Sequence, residues 1–270
     1  MNKDSLGDRM KRYEEVPKTA LMRRNPVIIR IDGKAFHTFT RGFQRPFDDI
    51  LIESMQKTMK YLCENIQGCK LGYCQSDEIS LLITDYENIN TAAWFDYEVQ
   101  KTCSIAASMA TMAFNKFFAK EVIDGLYAAF NINDTEWDEH LQKIYHPKID
   151  SAMFDARCFS IPKDEVCNYF IWRQNDCTRN SIQMVGQANF SHKELQKKSC
   201  NKIQDMLMLE KNVNWNDFPT VQKRGSCCTK TGIHTVVDIK TGEQKERLMW
   251  EIDTEIPIFT QDRNYIKRWI

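Results

Sequence analysis

Apolar and polar positions alternate along this chain with two different periods, and each change of period marks an element. From Pro26 an unbroken apolar run, Val27 to Ile31, predicts a strand that ends in a tight turn at Gly33. Between about Asp48 and Glu64 the residues Ile50, Leu51, Met55, Met59 and Leu62 fall on one face at helical spacing. Two short apolar runs, Leu71 to Cys74 and Ile79 to Ile83, flank Gln75-Ser76-Asp77-Glu78, which reads as a hairpin with acidic residues near its bend. A long helix rich in Ala, Met and Phe is predicted over about Ala92 to Lys120, followed by a looser connection from Asn131 to Ser151 that contains Pro147. A strand at Arg157 to Ser160 then leads past Pro162 into a helix over about Asp164 to Val185.

Written in order, these elements are β-α-β-β-α-β, a split βαβ arrangement that sets helices on one face of an antiparallel sheet. The expected fold class is α+β, a ferredoxin-like palm of the kind that polymerases use, although the topology alone assigns no chemistry. The last third predicts a basic helix from about Ser191 to Glu210, with Lys193/Lys197 and Lys198/Lys202 at i, i+4, and then a turn-rich β region whose hairpin bend is Lys240-Thr241-Gly242-Glu243. The expected division is a palm-type catalytic domain with an N-terminal helix over residues 1–190, and a helix and β-hairpin extension packed on it over residues 191–270.

Composition narrows the class. A chain of 270 residues with 42% hydrophobic and 27% charged residues buries a sizeable core, and 10 Gly and 7 Pro argue against long linkers. No run approaches the roughly 18 apolar residues of a membrane span, and the start, Met1 to Glu15, lacks the apolar centre of a secretory signal, so a cytoplasmic protein without a membrane partner is expected. The ten cysteines show no CxxC pair, which predicts reduced, mostly buried thiols in place of zinc ligands or disulfides. Lys+Arg and Asp+Glu are 37 each, so any surface for nucleic acid must be local.

Candidate chemistry lies in Arg30-Ile31-Asp32-Gly33-Lys34-Ala35-Phe36-His37 and in Ser76-Asp77-Glu78. An acidic residue before a glycine at a strand end is by itself more often a turn residue, and an acidic hairpin bend is usually only solvated. If the two segments lie on adjacent strands they acquire a joint meaning: Asp32 and Asp77 are then expected to converge on one sheet edge and to supply hard oxygen ligands for two Mg²⁺ ions. The Gly33 carbonyl can serve as an additional ligand, and backbone N–H groups across Lys34 to His37 suit a triphosphate.

Together with Phe154-Asp155-Ala156-Arg157 and Tyr169-Phe170-Ile171-Trp172-Arg173-Gln174-Asn175-Asp176-Cys177, these motifs resemble the tRNA-His guanylyltransferase family, over about Asp8 to Arg224. The resemblance implies that Asp32, Gly33 and Asp77 are metal ligands and that Glu78 is the third acidic residue of the catalytic group. It implies nucleotide-binding loops made of Asp32, Gly33, Lys34, Ala35, Phe36 and His37 with Ser76 and Asp77, a phosphate-approaching Arg45, and Lys101 as a triphosphate contact on the long helix. It further implies two Mg²⁺ per site, ATP and GTP or other NTPs as substrates, tRNA as partner, and a homotetramer. Guanylyltransferases of this family continue the Trp-Arg-Gln-x-Asp-Cys run with His-Ile-Asn-Asn-Leu-Tyr-Asn, whereas this chain has Thr178-Arg179-Asn180-Ser181-Ile182-Gln183-Met184. It is more similar to the guanylyltransferase-like branch, which restores truncated tRNA 5′ ends by templated 3′-to-5′ addition.

Other segments read as structure. Tyr169, Phe170 and Trp172 are expected in the core, Arg173 and Gln174 suit either a structural or an RNA-facing role, and Lys193, Lys197, Lys198 and Lys202 form a solvated face. Two rival functions share the fold: a palm-type nucleotide cyclase or small-molecule nucleotidyltransferase, and a non-catalytic RNA-binding module.

Overall fold

A computed structural model describes residues 5–237 and 244–270. The expected bend Lys240-Thr241-Gly242-Glu243 lies outside the described residues. In chain order the elements are α1 (Leu6–Glu15), β1 (Val27–Gly33), α2 (Phe36–Phe39), α3 (Asp49–Asn65), β2 (Cys69–Gln75), β3 (Glu78–Ile83), α4 (Val99–Ile132), α5 (Thr135–His140), β4 (Phe154–Ser160) and α6 (Lys163–Asn189). They are followed by α7 (His192–Leu195), α8 (Cys200–Lys211), α9 (Thr220–Arg224), β5 (Ser226–Val237), β6 (Gln244–Asp253) and α10 (Asn264–Lys267).

The six strands form one antiparallel sheet in the order β4-β1-β3-β2-β5-β6. Its first four strands have the ferredoxin-like order, and β5 adds to the edge at β2, with Tyr73 opposite Cys227. Alternation along β1 divides the interior. Val27, Ile29 and Ile31 point to one face, where Met55, Met59 and Leu62 of α3 and Ala106, Ala110 and Phe114 of α4 cover them. Ile28 points to the other, where Val166 and Phe170 of α6 pack with Tyr73, Leu82, Ile256 and Phe259. The two crossover helices therefore share a face, and α6 with the chain after β6 closes the opposite one.

Several elements depart from their sequence-based boundaries. The long helix begins at Val99 and not at Ala92, because Phe95, Asp96 and Tyr97 all adopt left-handed φ (50°, 51° and 58°). It then runs past Lys120 to Asn133, whose own left-handed φ of 54° ends it, and keeps Val122 and Ala129 buried. The segment read as a connection is largely helical: α5 is capped by Asp134 and passes into a wide turn, Leu141–Tyr145, that buries Leu141 and Tyr145 completely. The predicted basic helix is two pieces. α7 is capped by Ser191 and α8 by Ser199, and Lys197 between them takes φ 62°, so Lys193, Lys197, Lys198 and Lys202 do not share one helix face. All ten cysteines are free thiols. Among the described residues no helix is long and apolar enough to cross a membrane.

Candidate active site

The end of β1, the β2–β3 bend and the start of β4 meet at one sheet edge. In the register Asp32 stands opposite Glu78 on one side and Asp155 on the other, so three carboxylates line up across neighbouring strands. The N–H of Gly33 donates to the Asp77 carbonyl at 3.0 Å, which ties the bend to β1. The absence of a side chain at Gly33 is a packing requirement: a Cβ there would lie 2.3 Å from the Phe36 ring. Phe36 in turn packs on Phe39, Phe114 and Phe154 with centroids 4.9 to 5.5 Å apart, and so fixes the chain that follows Asp32. Ala35 (φ 54°) and Ser76 (φ 47°) make the two turns that bring the segments together.

Electrostatics separate the acidic residues. Burial pushes the Asp77 carboxyl up to about 6, and the negative charges of Asp32 and Glu78 add to the rise. Glu78 is paired with two arginines. Arg173 donates its Nε–H to Glu78 Oε1 at 2.8 Å, and Arg30 Nε lies 3.2 Å from Oε2, while the Glu78 and Arg173 side chains are 9% and 7% exposed. Glu78, expected in the catalytic group, is thus buried and ion-paired on both oxygens, which ties the bend to α6 and β1. Asp32 has a looser contact, with Arg30 at 3.4 Å, and is half-buried.

A cleft of about 660 Å³ opens beside these carboxylates. Of the expected nucleotide contacts, Gly33, Ala35, Phe36, His37, Arg45, Ser76 and Asp77 line it. Thr40, Arg41, Gln44, Met184 and Gln187 line it too, and sequence reasoning missed them because they lie on a loop and on α6 without a recognisable motif. Three expected contacts do not line it: Asp32 stands on β1 opposite Glu78, and Lys34 and Lys101 are placed elsewhere. The Lys34 N–H donates to Met153 O at 2.9 Å, so the cradle narrows to Ala35, Phe36 and His37, whose N–H groups have no backbone acceptor among the described residues. Lys101 sits in the first turns of α4 with its ammonium 4.8 Å from the Phe95 ring. α4 meets the catalytic end at Thr111, whose hydroxyl accepts from the Phe154 N–H, and ten residues of helix hold Lys101 about 15 Å further back. Within one subunit Lys101 is therefore not brought to the cleft.

The loop that walls the cleft is braced by the segment read as a mere connection. Asp48 accepts from the Gln44 and Leu51 N–H groups and from the Tyr145 hydroxyl. Lys148 donates to the carbonyls of Phe39 and Arg41 and lies 4.6 Å from the Phe43 ring. On the far side of the carboxylates Tyr169 and Phe170 are buried as expected, but Trp172 is 53% exposed.

Two carboxylates and a strand-end carbonyl are the hard oxygen donors that Mg²⁺ prefers, and the mutual repulsion of Asp32 and Asp77 is the field a dication relieves. No group of three or more His, Cys, Asp or Glu side chains gathers as a ready cage among the described residues.

The sequence profile of the tRNAHis guanylyltransferase family matches residues 7–162. An uncharacterized protein of Acanthamoeba polyphaga mimivirus is 30% identical over 244 residues, which cover 86% of this chain and 79% of that protein. A solved structure of a bacterial tRNA(His) guanylyltransferase-like protein in complex with ATP is 44% identical, with a TM-score of 0.81 over 98% of this chain and 99% of that one. A complex of a bacterial guanylyltransferase-like protein with GTP is 39% identical, with a TM-score of 0.73 and the same coverage.

Proposed function

This chain belongs to the tRNAHis guanylyltransferase family and is a nucleotidyltransferase, and we propose that it adds nucleotides to the 5′ end of tRNA in the 3′-to-5′ direction, guided by the opposite strand. The observation that carries this reading is a cleft lined by Asp77, Arg45, Ser76 and the Ala35–His37 turn, with Asp32 on the adjoining strand end that the Gly33 N–H ties to Asp77. The solved likenesses with ATP and with GTP support a triphosphate in that cleft. The run Thr178 to Met184, which departs from the guanylyltransferase pattern, supports templated repair over obligatory G addition.

Asp32, Asp77 and the Gly33 carbonyl would hold two Mg²⁺ ions, which when bound neutralise phosphate charge and lower the pKa of the attacking hydroxyl. The chain's own groups position the reactants. The N–H groups of Ala35 to His37 and the Arg45 guanidinium grip the triphosphate, and the Lys148 and Asp48 contacts keep their loop in place. A 5′-monophosphate end first attacks ATP and releases pyrophosphate, leaving an adenylylated end. The 3′-hydroxyl of the incoming nucleotide then attacks the terminal RNA phosphate; a P–O bond forms as the bond to AMP breaks, and the hydroxyl proton leaves. From a 5′-triphosphate end the same attack releases pyrophosphate. On this reading the enzyme works in the cytoplasm as a homotetramer, for which the exposed Ile123, Tyr127 and Phe130 of α4 offer apolar contact surface.

The test is incubation of the purified protein with Mg²⁺, all four NTPs and a tRNA lacking its first 5′ nucleotide, followed by sequencing of the 5′ end. Restoration of the base complementary to the opposite strand is expected. G added whatever the opposite base would return the chain to strict guanylyl transfer. No addition to either a 5′-monophosphate or a 5′-triphosphate end would overturn the proposal, and cyclic nucleotide made from NTP alone would replace it.

A further inference from the structure

One large aromatic residue on α6 stands where neither the core nor the nucleotide cleft explains it. Trp172 is 53% exposed, yet it is held in one orientation. The Arg173 guanidinium lies 4.2 Å from its ring centroid, and the Tyr169 ring meets it edge-on at 5.9 Å. Arg173 is itself fixed by Glu78 at 2.8 Å and Asp176 at 2.8 Å. The indole is thus a rigid platform with one ring face against a guanidinium and the other towards solvent.

Its surroundings are ionic. Glu78 bridges Arg173 to Arg30, and Arg30 stands opposite Arg157 in the sheet register. Arg157 and Arg179 are 52% and 59% exposed, each tethered to a single carboxylate, Asp155 and Asp176 respectively. A patch that docks protein carries contiguous apolar area, whereas a lone aromatic stacked on an arginine, with exposed arginines on the same helix and the neighbouring sheet, is how proteins stack an unpaired or terminal base and hold its phosphate. Position points the same way. α6 contributes Met184 and Gln187 to the nucleotide cleft, and Trp172 lies twelve residues earlier, about 18 Å along the helix. In-line transfer sets the attacking hydroxyl and the leaving group on opposite sides of the reacting phosphorus, so the RNA end needs a seat of its own outside the nucleotide cleft.

We propose that Trp172 is the stacking platform for the terminal base of the RNA 5′ end, with Arg157 contacting the adjoining phosphate. The proposal rests on the reading of this chain as a tRNA 5′-end nucleotidyltransferase and supplies the RNA half of that site. Arg173 couples the platform to the bend through Glu78, so seating of the RNA end and placement of Asp77 depend on one side chain.

The experiment measures the full-length protein and its Trp172→Ala, Trp172→Phe and Arg157→Gln variants for KM towards the 5′-truncated tRNA and towards NTP. Affinity for a 5′-labelled acceptor-stem hairpin is measured by anisotropy at several salt concentrations, and circular dichroism checks the fold. Trp172→Ala is expected to weaken RNA binding and raise the tRNA KM about 10- to 100-fold while the NTP KM stays within about twofold, and Trp172→Phe to recover most of the loss. Arg157→Gln is expected to reduce the salt dependence of RNA binding by about one ion. Wild-type extension of tRNA with an unchanged KM in Trp172→Ala overturns the platform alone. Equal loss in Trp172→Phe together with a change in sedimentation overturns it in favour of a subunit contact. Absence of addition by the wild type, with hairpin affinity insensitive to Trp172, overturns both readings together.

Discussion

Replacing Arg173 by Met tests whether the β2–β3 bend is held by a buried charge pair. Arg173 and Glu78 lie 2.8 Å apart with side chains 7% and 9% exposed, so removal of the guanidinium leaves a carboxylate that water barely reaches. Breaking such a pair from one side costs about 3 to 5 kcal/mol. Glu78 keeps Arg30 at 3.2 Å, which places the expected loss at the lower end, about 3 kcal/mol. For a chain of this size each kcal/mol shifts Tm by roughly 2 to 4 °C, so a drop of about 6 to 12 °C follows. Glu78→Gln removes the other partner, and the double variant removes both charges. Its loss should therefore fall short of the sum of the single losses by about 1 to 3 kcal/mol. Urea unfolding of the four proteins closes this cycle, and turnover should fall in Arg173→Met because the same pair fixes Asp77. A loss under about 1 kcal/mol in Arg173→Met, or strict additivity in the double variant, would refute the reasoning.

Asp77→Asn should abolish transfer yet stabilise the protein in chelator. Burial raises this carboxyl to about 6 from an ordinary 3.8, so the unfolded chain ionises first as pH rises, and the wild type loses stability between those values; the gain of the variant is about 3 kcal/mol at pH 8 and about half that at pH 5, and an equal gain at both pH values in urea unfolding would contradict it. Gly33→Ala places a methyl 2.3 Å from the Phe36 ring; a stability loss of about 1 to 3 kcal/mol with a large fall in kcat is expected, and near-normal turnover would show that the Phe36 packing is dispensable. Lys148→Met removes two donors to the loop carbonyls of Phe39 and Arg41. It should raise the NTP KM severalfold while leaving tRNA affinity unchanged, as read by steady-state kinetics and anisotropy.

Much of this protein is legible in its sequence, because the relevant signals are local. The apolar runs at Val27 to Ile31 and Ile79 to Ile83 specify strands, the helical spacing from Ile50 to Leu62 specifies α3, and the order of these elements suffices for the split βαβ arrangement. Asp32 before Gly33 and Asp77 at a bend mark a sheet edge in the same way, since turn residues and strand ends are written in neighbouring positions. The left-handed residues were less visible. Phe95, Asp96 and Tyr97 carry no glycine to announce a break, so the start of α4 was misplaced, and Lys197 likewise splits what reads as one basic helix.

The tertiary structure decided which groups face one another, because contacts distant in sequence follow from packing that no local period encodes. Glu78 meets Arg173 across 95 positions, and this buried pair ties the β2–β3 bend to α6. Asp155 is set beside Asp32 by strand register, and Tyr145 reaches Asp48 across 97 positions to hold the cleft loop. Lys101 is kept back from the cleft by the length of a helix whose direction the sequence does not state. For Trp172, helical spacing could not separate a core face from an exposed one. Tyr169 and Phe170 turn to the sheet, and the next turn of α6 leaves the indole outside, because Arg173 takes the inner position to neutralise Glu78. Periodicity tells which residues share a face, while the charge buried beneath α6 selects which face is inner.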